Sequence, residues 1–475
     1  MSGYTVAVDS GDDIVPVSRE DAFVRSASPG LGGPLGKHAA RRSSWWTPLR
    51  VLIAMVLASS VLMYAQKLPC RDQPWNGFQY SHACYNDIYP LYGGEGLADG
   101  KVPYLDTHGP NNDQNVEYPV LIGAAMELGA KIVDWAGVET EKGQRFLDVT
   151  WFMLMIAALI AVIATALTHR RRPWDAALLA AAPSLILAGL INWDLIAVAF
   201  LAVAMLAWSR KHTFVSGLFF GLAIATKFYP LLLFAPLFVV CLRARQLRAF
   251  FTCLGGAAVA WAVVDVPVWI AAPKGFSTFY VFSRNRGADW GSIWYAFGQM
   301  MHRSFTLKQL NTYEAALTII VVLGVAALTL GAARRPRLPQ VFFLTLALFL
   351  LVNKVYSPQY VLWLLPLFAL ARPRWRAFLF WQLAEAIYFL GIWLLLLDQT
   401  HPGKGLEWQP YVISLWIRAG AVLAMCVLVV IDILRPSHDV VRADGSDDPA
   451  GGVLDGAGDI FAKAGSYDRP APVSA

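Results

Sequence analysis

The sequence predicts an all-α polytopic membrane protein, and three observations lead to this class. The chain has 475 residues, of which 57% are hydrophobic and only 15% are charged. Its mean hydropathy is +0.48. Its basic residues stand in short clusters between apolar runs, which is typical of cytoplasmic loops rather than of a nucleic-acid-binding surface.

The basic clusters divide the chain into a membrane domain and two tails. Each cluster falls on the same side when the apolar runs cross alternately, which predicts about 12 spans with both termini in the cytoplasm. The membrane domain covers residues 47–435. Residues 1–46 and 436–475 are polar and rich in Gly, and we expect both tails to be disordered.

Two regions of the membrane domain are expected to be large extracytoplasmic loops, residues 67–146 and 272–312. Within the first, the apolar run Val120–Trp135 carries Glu127, Lys131 and Asp134 on one helical face. This stripe indicates an interfacial helix rather than a span. Several later segments have only about 11–14 apolar residues, which predicts broken helices or helices that open onto a cavity.

Cys70 and Cys84 both lie in or beside the first loop. A disulfide between them is possible if the loop faces an oxidising compartment, but two cysteines close in sequence need not meet. The sequence leaves both alternatives open. The other three cysteines fit buried apolar positions, and no metal-ligand spacing is present.

Polar residues gather at the predicted outer ends of the spans. Ionisable groups at membrane depth are costly, so their clustering on one side favours a functional site over individual helix caps or local pairs. The first loop adds Asp87 and Glu117 on the same side. The candidates at the span ends are Asn192, Asp194, Lys227, Tyr229, Lys354 and Gln359.

The second loop is basic on the side where the positive-inside rule predicts few basic residues. Arg284 and Arg286 are its candidates for binding a phosphate or diphosphate, through bidentate hydrogen bonds. The alternative is contact with anionic lipid headgroups.

The motifs that the sequence lacks restrict the reactions that it can be expected to catalyse. The sequence has no G-x-S-x-G, no H-E-x-x-H and no Walker motif, so serine hydrolysis, zinc hydrolysis and nucleotide hydrolysis are not predicted, and neither is a cofactor or a metal. A carboxylate base opposite cations suits glycosyl transfer from a lipid-phosphate-linked sugar. The base takes a proton from the acceptor hydroxyl, and the cations stabilise the departing phosphate.

Several stretches resemble glycosyltransferase family 87 of the GT-C superfamily, over roughly residues 50–435 in total. In the first loop, YNDIYPLY, ADGKVPYLD and EYPV resemble the first outer loop of membrane glycosyltransferases of the GT-C superfamily. The membrane domain contributes INWDLIAVAFLAVAML, GLFFGLAIATKFYPLLLFAPL and KVYSPQYVLWLLPL. The family includes actinobacterial mannosyltransferases that depend on polyprenol-phosphate-mannose.

The resemblance implies a GT-C type bundle in the plasma membrane with its active site facing outside. It implies an inverting hexosyl or mannosyl transfer from a polyprenyl-phosphate donor to a lipid or glycan acceptor of the cell envelope. Asp87 carries over as the candidate general base, and Glu117 is a weaker candidate that would orient the loop or the acceptor. Without the resemblance, Asp87 reads as the cap of a short helix beginning at Tyr89.

Two other classes of function remain open from the sequence. A transporter or flippase of lipid-linked glycans would also use broken helices and buried charge, although its polar residues are expected near mid-span and in two symmetric halves. A scaffold of an envelope assembly would depend on its tails rather than on Asp87.

Overall fold

The computed structural model describes residues 14–15, 21–32, 45–73, 75–137 and 141–461. Nearly all regular structure in these residues is helical, which confirms the all-α class. The principal helices after residue 47 are α1 Pro48–Arg71, α2 Val120–Trp135, α3 Lys142–Thr168, α4 Asp194–Ser209, α5 Thr213–Thr226, α6 Phe234–Arg243, α7 Leu247–Ala271, α8 Pro273–Asn285, α9 Leu307–Gly331, α10 Leu338–Val352, α11 Val361–Ala371, α12 Trp375–Thr400 and α13 Trp408–Leu434.

Six of these helices are long and apolar enough to cross a bilayer: α1, α3, α7, α9, α12 and α13. The multi-pass membrane class is therefore confirmed. Five further apolar segments are shorter, and they correspond to α4, α5, α10 and the stretches containing α6 and α11. The segment before α4 is broken, with short helices at Ala177–Ala180 and Pro183–Ala188. The predicted count of 12 spans is not confirmed.

Local sequence explains where the helices begin. Thr47 caps α1 by accepting a hydrogen bond from the backbone N–H of Arg50, and Pro48 occupies the first turn. Thr306 and Gln309 form a reciprocal capping box at the start of α9. α1 continues to Arg71, beyond the predicted loop boundary at residue 67.

Helices α5 and α7 cross at very short range because glycines line their contact. A Cβ atom built on Gly217 would lie 2.0 Å from the carbonyl oxygen of Cys253, and one built on Gly256 would lie 2.4 Å from that of Phe214. Small residues allow helix backbones to approach in this way. The contact fixes α5, which ends at Thr226, directly before Lys227.

The bundle has two chemically different ends. We call the end formed by residues 72–73, 75–119, 272–306 and 353–360 the loop end; there the backbone N–H of Asp289 bonds to the carbonyl of Lys354 (2.8 Å). The tail end is formed by residues 169–172, 332–337 and 371–375 together with the C-terminal segment 436–461.

The expectation of a disordered C-terminal tail differs from the structure over residues 436–461, which pack against the tail end. Their aspartates pair with arginines that, in the sequence, indicated only topology. Asp439 accepts two hydrogen bonds from Arg337, at 2.7 and 3.0 Å, in a fully buried contact. Further pairs are Arg335–Asp447 and Arg243–Asp459, both at 2.7 Å.

The N-terminal tail is also partly ordered. Residues Ala22–Gly32 form a helix, and the Asp21 carboxylate accepts a hydrogen bond from the backbone N–H of Trp375 (2.9 Å). The remainder of the predicted tails, apart from residues 14–15 and 45–46, lies outside the described residues.

The tail contact makes a testable prediction. Asp439→Asn leaves the buried Arg337 guanidinium without its carboxylate, and we expect a loss of about 3–5 kcal/mol in the free energy of unfolding. Denaturant unfolding of the purified protein in detergent measures this. Asp444→Asn is the matched control, because Asp444 pairs with Arg171 at 2.9 Å where the arginine side chain is 45% exposed. It should cost about 1 kcal/mol or less, and equal losses in both variants would contradict the assignment.

Candidate active site

A cavity of about 530 Å³ opens at the loop end of the bundle. Its walls come from parts of the chain that are far apart in sequence: the first loop, the turns before α4 and after α5, the second loop, the turn before α11, and α12. It brings together six predicted site residues, namely Asp87, Glu117, Asn192, Lys227, Arg286 and Gln359.

Asp87 directs its carboxylate into this cavity instead of capping a helix. It precedes the short helix Ile88–Gly94, yet its side chain makes no capping hydrogen bond. The neighbouring Asn86 does that, because its Oδ1 accepts from the backbone N–H of Tyr89 (2.8 Å). The backbone N–H of Asp87 is in turn held by the carbonyl of Ile191 (2.8 Å). The capping alternative therefore does not describe this carboxylate.

The surroundings of Asp87 raise the pKa of its carboxyl group overall. Removal from solvent raises the pKa of the Asp87 carboxyl group, and this effect outweighs the hydrogen bonds from Asn192 and Tyr85, which lower it. Asn192 Nδ2 donates to Asp87 Oδ2 at 2.9 Å. A carboxylate with a raised pKa is a stronger base than a solvated aspartate once it is ionised.

Asn192 connects Asp87 to the nearest lysine. Its Nδ2 also donates to the Tyr118 hydroxyl (3.0 Å), while its Oδ1 accepts from Lys227 Nζ (3.3 Å). Lys227 lies 3.5 Å from Asp194 Oδ2. Asp194 is fully buried, and its other oxygen accepts from Trp363 Nε1 (2.7 Å). Asp194 therefore pairs with Lys227 from a buried position and does not line the cavity.

The two arginines of the second loop have different positions. Arg286 lines the cavity and pairs with Asp289 at 3.3 Å. It is also the cation that acts most strongly on Glu117: burial raises the pKa of the Glu117 carboxyl group, and Arg286 opposes this shift. Arg284 is exposed and lines neither this cavity nor its neighbour. The structure does not bring the Arg284 guanidinium to the site.

A second, more apolar cavity of about 670 Å³ adjoins the first. Its lining includes Phe228 and Leu231, each 43% exposed at the bundle surface. Glu117, Tyr118, Lys227, Phe282, Arg286 and Tyr360 line both cavities. The two cations Lys227 and Arg286 thus stand where a polar chamber meets an apolar one.

The remaining predicted residues, Tyr229 and Lys354, line the second cavity. The Tyr229 ring stacks on Trp363 with a centroid distance of 4.2 Å, and its hydroxyl has no hydrogen-bond partner among the described residues. Lys354 donates to Asn311 Oδ1 and to the carbonyl of Arg284. Burial lowers the pKa of the Lys354 ammonium group.

Sequence reasoning missed several aromatic residues of the first cavity. Tyr85 and Tyr118 contact Asp87 and Asn192, and Tyr85 lies 4.8 Å from Trp393, centroid to centroid. Both tyrosines stand in the motifs YNDIYPLY and EYPV beside the acidic candidates. Their positions in the sequence close to Asp87 and Glu117 could have indicated that they belong to the site.

The disulfide left open by the sequence is formed. Cys70 at the end of α1 is bonded to Cys84, with Cα atoms 5.7 Å apart. The bond attaches the first loop to α1 three residues before Asp87. Cys241, Cys253 and Cys426 are free and buried.

The fold and the site define an integral membrane protein with a carboxylate and two cations around a cavity at one end of its bundle. The model of glycosyltransferase family 87 matches residues 146–353, which confirms over that segment the resemblance seen in the sequence and supports glycosyltransferase activity. The matched segment includes Asn192, Asp194, Lys227 and Arg286, whereas Asp87 and Glu117 precede it.

Among solved structures, ArnT from Cupriavidus metallidurans bound to undecaprenyl phosphate is similar to this chain. The two share 16% sequence identity with a TM-score of 0.43, over 85% of this chain and 80% of that one. No curated relative matches the chain.

The disulfide can be tested by counting thiols. In denatured protein that has not been reduced, a maleimide reagent should label three of the five cysteines, and after reduction it should label all five. Loss of the bond in a Cys70→Ser, Cys84→Ser double variant should lower the free energy of unfolding by about 3 kcal/mol. Intact-mass spectrometry gives the label count, and five labels before reduction would show that the bond is absent.

Proposed function

We propose that this protein is a GT-C type membrane glycosyltransferase that moves a sugar from a polyprenyl-phosphate donor to a lipid or glycan acceptor of the cell envelope. The observation that carries the proposal is the arrangement of Asp87, Lys227 and Arg286 around one cavity that continues into an apolar one. The family resemblance favours mannose as the donor sugar.

The donor fits the two cavities by its chemistry. An isoprenoid chain suits the apolar cavity, whose edge at Phe228 and Leu231 reaches the bundle surface. The phosphate then lies at the junction, where Lys227 and Arg286 face both chambers. Arginine binds phosphate oxygens in bidentate geometry, and lysine supplies a compact charge.

The sugar and the acceptor hydroxyl meet in the first cavity. Asp87 takes the proton of the acceptor hydroxyl as its oxygen bonds to the anomeric carbon. The bond between that carbon and the phosphate oxygen breaks, and its electron pair stays on the phosphate. Lys227 and Arg286 stabilise the resulting charge. Attack from the face opposite the leaving group inverts the anomeric centre, and the products are polyprenyl phosphate and the glycosylated acceptor.

The basic clusters assign sides to the two ends of the bundle. Arginines concentrate at the tail end, and by the positive-inside rule this supports our proposal that the tail end and both termini face the cytoplasm. The loop end, with the disulfide and the cavity, then faces outward from the plasma membrane, where disulfides persist.

The flippase alternative predicts charges at mid-span. The described residues contain a buried ion pair of this kind, Glu385–Arg418 at 2.9 Å. However, Arg418 also donates to the carbonyls of Tyr356 and Ser357 in the turn that borders the first cavity. This pair therefore supports the wall of the cavity, which is a structural role that transfer requires as well, so the pair does not favour transport over transfer.

Asp87→Asn should abolish transfer while leaving the protein folded. The amide keeps the size of the side chain but cannot accept a proton, so kcat should fall by about 10²–10⁴-fold. Transfer of labelled mannose from polyprenyl-phosphate mannose to envelope lipids measures this. In the wild type, kcat/KM should fall at acid pH through a pKa above the usual aspartate value of about 4, because the carboxyl pKa is raised.

Asp113→Asn is the matched control for Asp87→Asn. Asp113 lies exposed in the same loop, so its variant should keep wild-type activity. Activity of the Asp87→Asn protein equal to that of this control would refute the assignment of the base.

Lys227→Met should weaken stabilisation of the leaving phosphate. We expect kcat/KM to fall by about 10²-fold or more, because a cation at the developing charge is lost. Lys131→Met provides the control, since Lys131 is 71% exposed on α2 and its partner among the described residues is Glu127. Unfolding curves of both variants are needed because Asp194 loses its partner, and full activity in a folded Lys227→Met protein would count against the phosphate site.

A further inference from the structure

Lys67 is a fully buried lysine that the proposed reaction does not use. It lies near the end of α1 and lines neither cavity of the candidate active site. Its Nζ donates to the carbonyl oxygen of Tyr85 at 2.8 Å and lies 5.6 Å from the centroid of the Phe389 ring. A buried ammonium group is costly unless it has polar or charged partners.

The end of α1 is attached to three consecutive residues of the first loop. Gln66 donates to the carbonyl of Ala83, Cys70 is bonded to Cys84, and Lys67 donates to the carbonyl of Tyr85. The Tyr85 side chain in turn interacts with the Asp87 carboxylate, and both residues line the first cavity. Lys67 therefore acts on the segment that positions Asp87.

Among the described residues, Asp87 is also the charged side chain that interacts electrostatically with Lys67. Lys67 is fully buried and contacts the Tyr85 backbone, whereas Asp87 lines the first cavity two residues further along the chain. The other charged or titratable groups that act on Asp87 come from several elements: the cation Lys227, the carboxylates Asp194 and Glu117, and the phenols Tyr85, Tyr118 and Tyr360.

We propose that Lys67 is a positioning residue for Asp87: it holds the Tyr85 carbonyl, and it supplies a positive charge that stabilises the ionised form of the Asp87 carboxyl group. This inference rests on the proposed function, in which Asp87 is the base. Lys67 acts through the loop and through its field, without touching substrate.

The pH dependence of kcat/KM tests the charge separately from the hydrogen bond. Lys67→Gln retains a donor for the Tyr85 carbonyl but removes the charge, and Lys67→Arg retains the charge. With polyprenyl-phosphate mannose as donor, the acid limb of the profile should move to higher pH by about one unit in Lys67→Gln. It should stay near the wild-type position in Lys67→Arg and in the exposed control Lys131→Gln.

The outcomes separate this inference from the proposed function. A Lys67→Gln enzyme whose activity falls equally at every pH would show that Lys67 is only a structural tether, which overturns the inference. An unchanged profile at full activity would overturn it as well. If Asp87→Asn is as active as wild type, Asp87 is not the base, and the inference fails with that assignment. Absence of transfer by the wild-type protein would instead overturn the proposed function.

Folding of the Lys67 variants is checked by the Cys70–Cys84 bond, through the thiol count described above. If Lys67→Gln does not fold, Lys67→Met and Lys67→Arg decide the question. Loss of folding in Lys67→Met together with a shifted acid limb in folded Lys67→Arg would contradict a role for the charge. An unshifted limb in Lys67→Arg, with Lys67→Met folded and shifted, would support it.

Discussion

The site depends on one amide side chain that keeps a carboxylate and an ammonium group apart. Asn192 donates to Asp87 through Nδ2 and accepts from Lys227 through Oδ1, so each end of the amide matches the charge beside it. A direct ion pair between Asp87 and Lys227 would lower the basicity of the carboxylate and occupy the ammonium group. With Asn192 between them, and with Asp194 behind Lys227, the carboxylate and the cation can act on different atoms of one substrate.

Short helices bring these groups to the cavity. Asn192 precedes α4, Lys227 follows α5, and Gln359 stands before α11, so each functional side chain lies where a helix starts or stops. Helices of this length do not cross a bilayer unaided, and their irregular ends are tolerated because they line a cavity or pack inside protein. The long helices surround them: α5 is fixed against α7 by glycine contacts, and α1 holds the Asp87 loop.

Much of this arrangement could be predicted from the sequence, because hydropathy and the positions of basic residues depend on local composition. Hydropathy and the basic clusters predicted the helical class and the short, interrupted segments. They also predicted that Asn192, Lys227 and Asp87 lie on the same side. The difference between Arg284 and Arg286 could not be predicted, since two residues at the end of one helix diverge through tertiary contacts. The sequence predicts Lys67 at the start of a polar loop, whereas the structure buries it. Burial by residues that are distant in the sequence leaves no pattern in the local sequence.

The ordered structure of residues 436–461 could not be predicted either, because it too depends on contacts between residues distant in the sequence. This segment explains why the two ends of the bundle differ in chemistry. At the tail end, Arg337 donates to both oxygens of Asp439 and to the carbonyls of Leu370 and Ala371. Four of its five N–H donors are occupied by protein, which makes the contact structural. At the loop end, Lys227 has a 3.3 Å bond to Asn192 and a 3.5 Å approach to Asp194. An ammonium group has three donors, so this lysine retains capacity for an anion that enters the cavity.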